Sequence, residues 1–155
     1  MEIRHRTSGE VLLDTGAATL EGAHLLAADL READLHGESL AGADLSDANL
    51  AGAALDGADL SFAGLMGANL SGASLVAAKL NSANLSGADL FNTDLSGADL
   101  TDAVYNVATR WPEGFDPVQA GAALAEETEP VAAGEGEEVR GTLPPPPLDA
   151  PLDLF

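Results

Sequence analysis

The residues able to do acid–base or ligand chemistry are placed without convergence. The chain has 26 Asp and Glu, three His and no Cys. The histidines His5, His24 and His36 all fall in the N-terminal portion. No His-Glu-x-x-His spacing brings two of them to one metal, and no Gly-Lys-Ser/Thr loop offers amides to a phosphate. Ser46 stands beside Asp47, but the pair reads as part of a repeating surface rather than as a nucleophile with its base. Columns of Asp attract cations weakly, yet nothing assembles the six or more oxygens of a closed calcium cage. Absence of Cys removes disulfides and thiolate chemistry. The expectation is therefore no catalytic residue, no metal site and no cofactor, and hence no enzyme.

The elements that would have to hold a site are unusual. Leu stands at every fifth position from Leu20 to Leu100, and Tyr105 takes the next slot. Two residues before each is Ala, except at Glu38 and Thr93. The residue just before Leu is often Asp or Asn, and two after it is often Gly, so the unit reads Ala-Asp/Asn-Leu-x-Gly. The glycines follow this register and read as structural. Five residues of helix rotate about 140°, which scatters the leucines around the axis. In a strand, successive leucines would point to opposite faces. A backbone that turns once per unit returns every Leu to one interior, with Gly and Asp/Asn assigned to the turning positions. Burying a Leu contributes roughly 1.5–3 kcal/mol, while ordering five residues costs at least a few kcal/mol. One unit alone is unstable, and stability must come from stacking. Low aromatic content, 4%, fits a narrow core of Leu and Ala.

This pattern resembles the pentapeptide-repeat family over roughly residues 13 to 117. The resemblance implies an all-β, right-handed quadrilateral β-helix with four units, or twenty residues, per coil. It implies about 4.5 coils, stacked over roughly 22 Å at the sheet spacing. Residues twenty apart would then stack, and no two of the acids between Thr19 and Asp102 are twenty apart, as repulsion between stacked like charges favours. One column reads Thr19, Ser39, Asp59, Lys79, Asp99. Another, Asp29, Asn49, Asn69, Asp89, is a candidate ladder of side-chain hydrogen bonds. Glu38, in an inward Ala slot, is expected to swing its carboxylate to solvent, since burial unpaired is costly.

Open solenoid ends need covering. Residues 1–13 read as strand, turn, strand and form an N-terminal hairpin cap. Residues 14–107 form the repeat. The chain's single Trp and Tyr, Trp111 and Tyr105, sit with Phe115 where the repeat stops, giving a C-terminal aromatic cap over 108–117; an aromatic ligand pocket is the weaker alternative. Asp116-Pro117 is suited to start a short helix that fades near Glu126. Residues 118–155, rich in Glu and carrying Pro144 to Pro147, are expected to be a flexible acidic tail, ending in a passive segment from Leu148 to Phe155.

Formal net charge is −20, which opposes direct binding to nucleic acid or anionic membrane. No apolar run reaches 18 residues, so no membrane span is expected. Val11-Leu12-Leu13 is too short for a secretory signal's apolar region, so the expected location is cytoplasmic. The function best suited to these features is a binding or scaffolding module for a protein partner not named by the sequence. Leu26, Phe62, Met66, Val76 and Phe91 occupy outward positions, and no acid occurs between Asp59 and Asp89. This neutral zone is the candidate contact surface, for another protein or for a homodimer. The alternative is a DNA mimic that binds a type II topoisomerase such as DNA gyrase, as some members of the family do. Duplex DNA carries roughly 13 charges over 22 Å, and the acidic repeat approaches that density, although its middle is nearly uncharged.

Overall fold

The computed structural model describes residues 1–125. Five short strands are present: β1 (Glu2–His5), β2 (Val11–Asp14), β3 (Ala33–Asp34), β4 (Val104–Tyr105) and β5 (Ala123–Leu124). Most of the sheet, however, is built from single bridging residues. Parallel bridges join residues twenty apart, from His24–Asp44 to Asn84–Val104. They fall in four columns, so the chain comes back over itself every four units. Thr19 is not bridged to Ser39, and the ladder starts one position later than its column suggested. Among the described residues there is no helix, and none long and apolar enough to cross a membrane.

Each unit closes with a turn in which the next Ala N–H donates to the Leu carbonyl, as Ala63 does to Leu60 at 3.0 Å. The residue two after Leu has φ between +57° and +71° at every unit from Gly22 to Asp102. That is the left-handed region where Gly carries no Cβ penalty. Asp47, Asn92 and Asp102 do take the turning role expected of Asp and Asn, but the Asp and Asn residues just before Leu play a different part. They occupy the bridging position, and the side-chain oxygen accepts the N–H two residues on, as at Asp59 to Ser61, Asn69 to Ser71 and Asn84 to Ser86, each 3.0 Å. The amide turned away from the ladder at the corner is thereby satisfied. The Asn49–Asn69 column is real, but backbone bonds make it. Its side chains bond within their own units, Asn49 to Ala51 and Asn69 to Ser71, so the expected side-chain ladder is replaced by local turns.

Every fifth-position Leu from Leu20 to Leu100 is buried, with most of the intervening Ala. Thr93, in an Ala slot, is buried and donates its hydroxyl to the Leu70 carbonyl at 2.7 Å. Glu38 is half-buried rather than fully exposed. Lys79 bridges both Asp59 and Asp99. Hydrogen bonds from the Ser61 and Thr101 side chains hold those carboxyls below the ordinary range, and the Lys79 charge adds to this.

At the start, β1 pairs antiparallel with β2 and with β3, Ile3 facing Leu13 and Arg4 facing Asp34. Ile3 is buried against the first coil. At the other end Asp89 bridges Arg110, one residue beyond the twenty-residue spacing. Trp111 stacks on Phe115 at 5.2 Å and meets Tyr105 edge-on at 5.4 Å. The helix expected after Asp116-Pro117 is a single turn. Asp116 does cap it, accepting from Val118 and Gln119 N–H, but Gly121 at φ +99° ends it. Residues 123–124 then pair with Val104 and Tyr105 as β5. A short isolated helix is marginal, whereas the open edge of β4 offers ready hydrogen-bond partners. The described structure thus includes β5 within the first residues of the 118–155 span expected as a tail. The remaining expectations for the tail, Pro144 to Pro147 and Leu148 to Phe155 included, lie outside the described residues.

Candidate contact face

The five outward apolar residues do not form one patch. Phe62 stands at one corner of its coil. Leu26 and Met66 share the next, two coils apart in the column Leu26, Ser46, Met66, Ser86, Asn106. Phe91 belongs to the third corner and Val76 to the fourth. These placements follow directly from the twenty-residue bridge spacing. Leu26, Phe62 and Met66 are 61%, 68% and 50% exposed, while Val76 is half-buried. Phe91 is exposed but engaged, with the Arg110 guanidinium 4.9 Å from its ring centroid and held by Asp89 at 3.0 Å. Its role is local packing of the C-terminal end. The acid-free stretch of sequence therefore wraps the coil rather than collecting on one side.

What the fold does collect on one side is three of the five. Phe62 and Met66 flank the Ala63–Gly64–Leu65 stretch, and Leu26 lies at the Met66 corner. Val107, which was not singled out, is exposed beside Asn106 at the top of that column. The bridging column of this side reads His24, Asp44, Gly64, Asn84, Val104. Gly64 is the one glycine in a slot otherwise filled by a side chain. It breaks the register that the glycines were taken to follow, and this departure was legible in the sequence. Around a Cβ built at Gly64 the three nearest atoms are Asp44 Oδ1 at 3.6 Å, Ser46 Oγ at 3.6 Å and the Ala43 carbonyl oxygen at 4.0 Å. A side chain at Gly64 would touch these oxygens at ordinary contact distance, and its absence leaves a notch floored by them. The Ser46 N–H, donating to Asp44 Oδ1 at 3.1 Å, its hydroxyl and the nearby His24 hold the Asp44 carboxyl below the ordinary range.

Phe62 is also conformationally costly. Its φ is +61°, a genuine outlier for a bulky side chain. The same column carries Gly42, Ser82 and Asp102, all easier occupants of such a corner. Strain of this kind persists where surrounding structure imposes it.

Elsewhere among the described residues, clefts of about 460 Å³ beside His5, Asp29 and Arg31 and of about 430 Å³ beside Thr15, His24 and Leu25 open near the N-terminal end. A shallow cleft of about 310 Å³ opens beside Phe115, lined by Thr93 to Ser96 and Pro112 to Phe115. Trp111 and Tyr105 do not line it; Trp111 packs between Phe115 and Tyr105, which favours the cap over the aromatic pocket. Among the described residues no three His, Asp or Glu gather as a metal site.

The sequence profile described as "Pentapeptide repeats" matches eight copies, over residues 16–42, 39–72 and 68–104. No curated protein matches the chain. Among solved structures it is similar to alr5209, a pentapeptide repeat protein from Nostoc PCC 7120, with 39% identity over 66% of this chain and 84% of that one, TM-score 0.65. It is similar to HetL of Nostoc sp. strain PCC 7120, a pentapeptide repeat protein involved in heterocyst differentiation regulation, at 37% identity over 60% and 46%, TM-score 0.34. A third is Rfr23 from Cyanothece 51142, at 34% identity over 57% and 64%, TM-score 0.35.

Proposed function

The chain belongs to the pentapeptide-repeat family of right-handed β-helices, and we propose that it is a non-enzymatic protein-binding module whose contact surface is the side bearing Leu26, Phe62 and Met66. We read the whole as a quadrilateral β-helix of about 4.5 coils. The β1–β2 hairpin caps one end, and the Trp111 cluster with β5 caps the other.

The observation that carries this reading is Phe62. A bulky aromatic is kept at a left-handed corner, mostly exposed. It has no packing role that Gly or Ser would not fill with less strain. Contact with a partner supplies the missing reason. Met66 and Leu26 extend the apolar area on the same side, and single exposed apolar residues elsewhere need no such account.

DNA mimicry receives no support from the folded arrangement. The acid-free residues between Asp59 and Asp89 exceed one turn of the coil, leaving a band without carboxylates on every side. Duplex DNA presents a charge about every 1.7 Å. A supercoiling assay with purified gyrase that shows inhibition would favour mimicry instead.

The deciding experiment uses the full chain and a double variant, Phe62→Gly with Met66→Asp, as baits in the same native extract. The expected result is a partner held by the wild type and lost by the variant, with the variant melting no lower than the wild type. Identical retention by both baits overturns the reading. Light scattering on the same pair separates the occupants, since a dimer dissolved by the double variant would place a second copy on this side.

A further inference from the structure

We propose that the notch at Gly64 receives a lysine or arginine side chain from a basic segment of the partner, with Phe62 and Met66 as its walls. This rests on the contact reading above and adds the chemistry of what binds there.

The floor specifies the visitor. Its three nearest atoms are oxygens, Asp44 Oδ1, Ser46 Oγ and Ala43 O. A carboxylate and a carbonyl can only accept hydrogen bonds. Some of that capacity is already used, because Ser46 N–H donates to Asp44 Oδ1 and Gly64 N–H donates to the Ala43 carbonyl. These oxygens border the space that a side chain at Gly64 would fill. An anionic group there would meet Asp44, and an apolar group would desolvate a carboxylate without pairing it. A cationic donor avoids both penalties and makes charge-assisted hydrogen bonds.

The walls suit the same visitor. Four residues of extended chain separate Phe62 from Met66, about 13 Å at most. A long flexible side chain has an apolar stem that lies along such surface while its head reaches the oxygens. Phe62, two residues from Gly64 in sequence, offers an aromatic ring that attracts a cation further. The wider field agrees. Asp47 and Asp102 belong to the neighbouring corner columns, and the only base between His36 and Thr109 is Lys79. Lys79 lies in another column, bridged to Asp59 and Asp99. His24 is bridged to Asp44 from the coil on the far side from Gly64, so it does not fill the notch.

The chain contains two Met, Met1 and Met66, so methyl-labelled methionine gives one reporter in the notch and one remote control. The full chain is titrated with N-acetyl-Arg-Leu-Arg amide, with its Lys counterpart and with its citrulline counterpart, which keeps the shape of arginine without the charge. The expected result is a saturable shift of the Met66 methyl by the Arg and Lys peptides, none by the citrulline peptide, and an unmoved Met1. Gly64→Asn places in the notch the residue found one coil above at Asn84. It should fold normally and weaken binding at least about tenfold. Equal binding of the citrulline peptide overturns the cationic assignment while leaving the apolar contact reading standing. An unchanged titration in Gly64→Asn also overturns it, since basic peptides would then be drawn to the acidic surface at large. No shift up to about 10 mM peptide overturns it as well, and the bait comparison then decides the contact reading alone.

Discussion

At the residue scale, each corner meets the same demand for a left-handed backbone, and the residues differ in what they give up to meet it. Gly meets it freely, Asp and Asn tolerably, and Phe62 at the greatest strain. Phe62→Gly should therefore stabilise the fold by about 1 kcal/mol, read as a higher urea midpoint with unchanged slope, because little packing is lost from so exposed a ring. A lower midpoint would mean that the ring packs on its neighbours and has a structural purpose. His36 offers a pH-dependent counterpart. It bonds Asp34, and that hydrogen bond, with the Asp34, Asp56 and Glu38 charges, raises the imidazole above its ordinary value, while Asp34 is lowered. A raised histidine contributes stability that is fully present below its unfolded value and is lost as pH rises through its folded value. A lowered carboxyl contributes stability present above its unfolded value and lost as pH falls through its folded one. The pair is thus strongest between the two, and it is exposed, so the effect is small. NMR titration should show the His36 imidazole pKa above its ordinary value, falling in Asp34→Asn. No change on that substitution would sink the assignment.

Elements here are too short to exist alone. A two-residue strand has meaning only as an edge that something else completes, so stability resides in the stack. The C-terminal end shows the consequence. Gly121 O accepts from Asp102 N–H, and Ala123 and Ala125 N–H donate to the Ala103 and Tyr105 carbonyls. Truncation after Pro117 removes all three bonds and uncovers β4, whereas truncation after Ala125 keeps them. The shorter chain should melt several degrees lower, and its Asp102 amide should exchange rapidly. Equal protection in both would show that β5 is dispensable. This element was illegible in the sequence. Ala-Gly-Ala-Ala-Leu carries no strand signal of its own, and only the unpaired edge of Val104–Tyr105 makes it one. The hairpin at the other end was legible, because its two apolar runs and intervening turn residues are local features.

For the molecule as a whole, four units per coil decide which residues are neighbours. A second copy of residues 41–60 inserted after Leu60 should add one coil, about 4.8 Å of length by X-ray scattering, with every column kept in register. A second copy of residues 51–55 inserted after Leu55 should also fold, since each unit carries its own Leu and corner. It would turn everything beyond it by one column, separating Phe62 and Met66 from Leu26 and Asp44. The expected outcome is a similar melt with loss of the Met66 response to arginine peptide. Retention of that response would show that the floor atoms from the coil below are not used.

The sequence alone determined that a five-residue backbone turn buries the leucines, because no helix or strand periodicity can keep that spacing on one side. It also marked Phe62, Met66 and Leu26 as outward. Only the tertiary structure decided that these three share a side while Val76 and Phe91 do not, and that an unoccupied glycine slot sits between two of them above Asp44. The reason is that period five is a local property of the chain, written in each unit. The number of units per coil is a property of stacking, and it sets contacts between residues twenty apart that no single unit records.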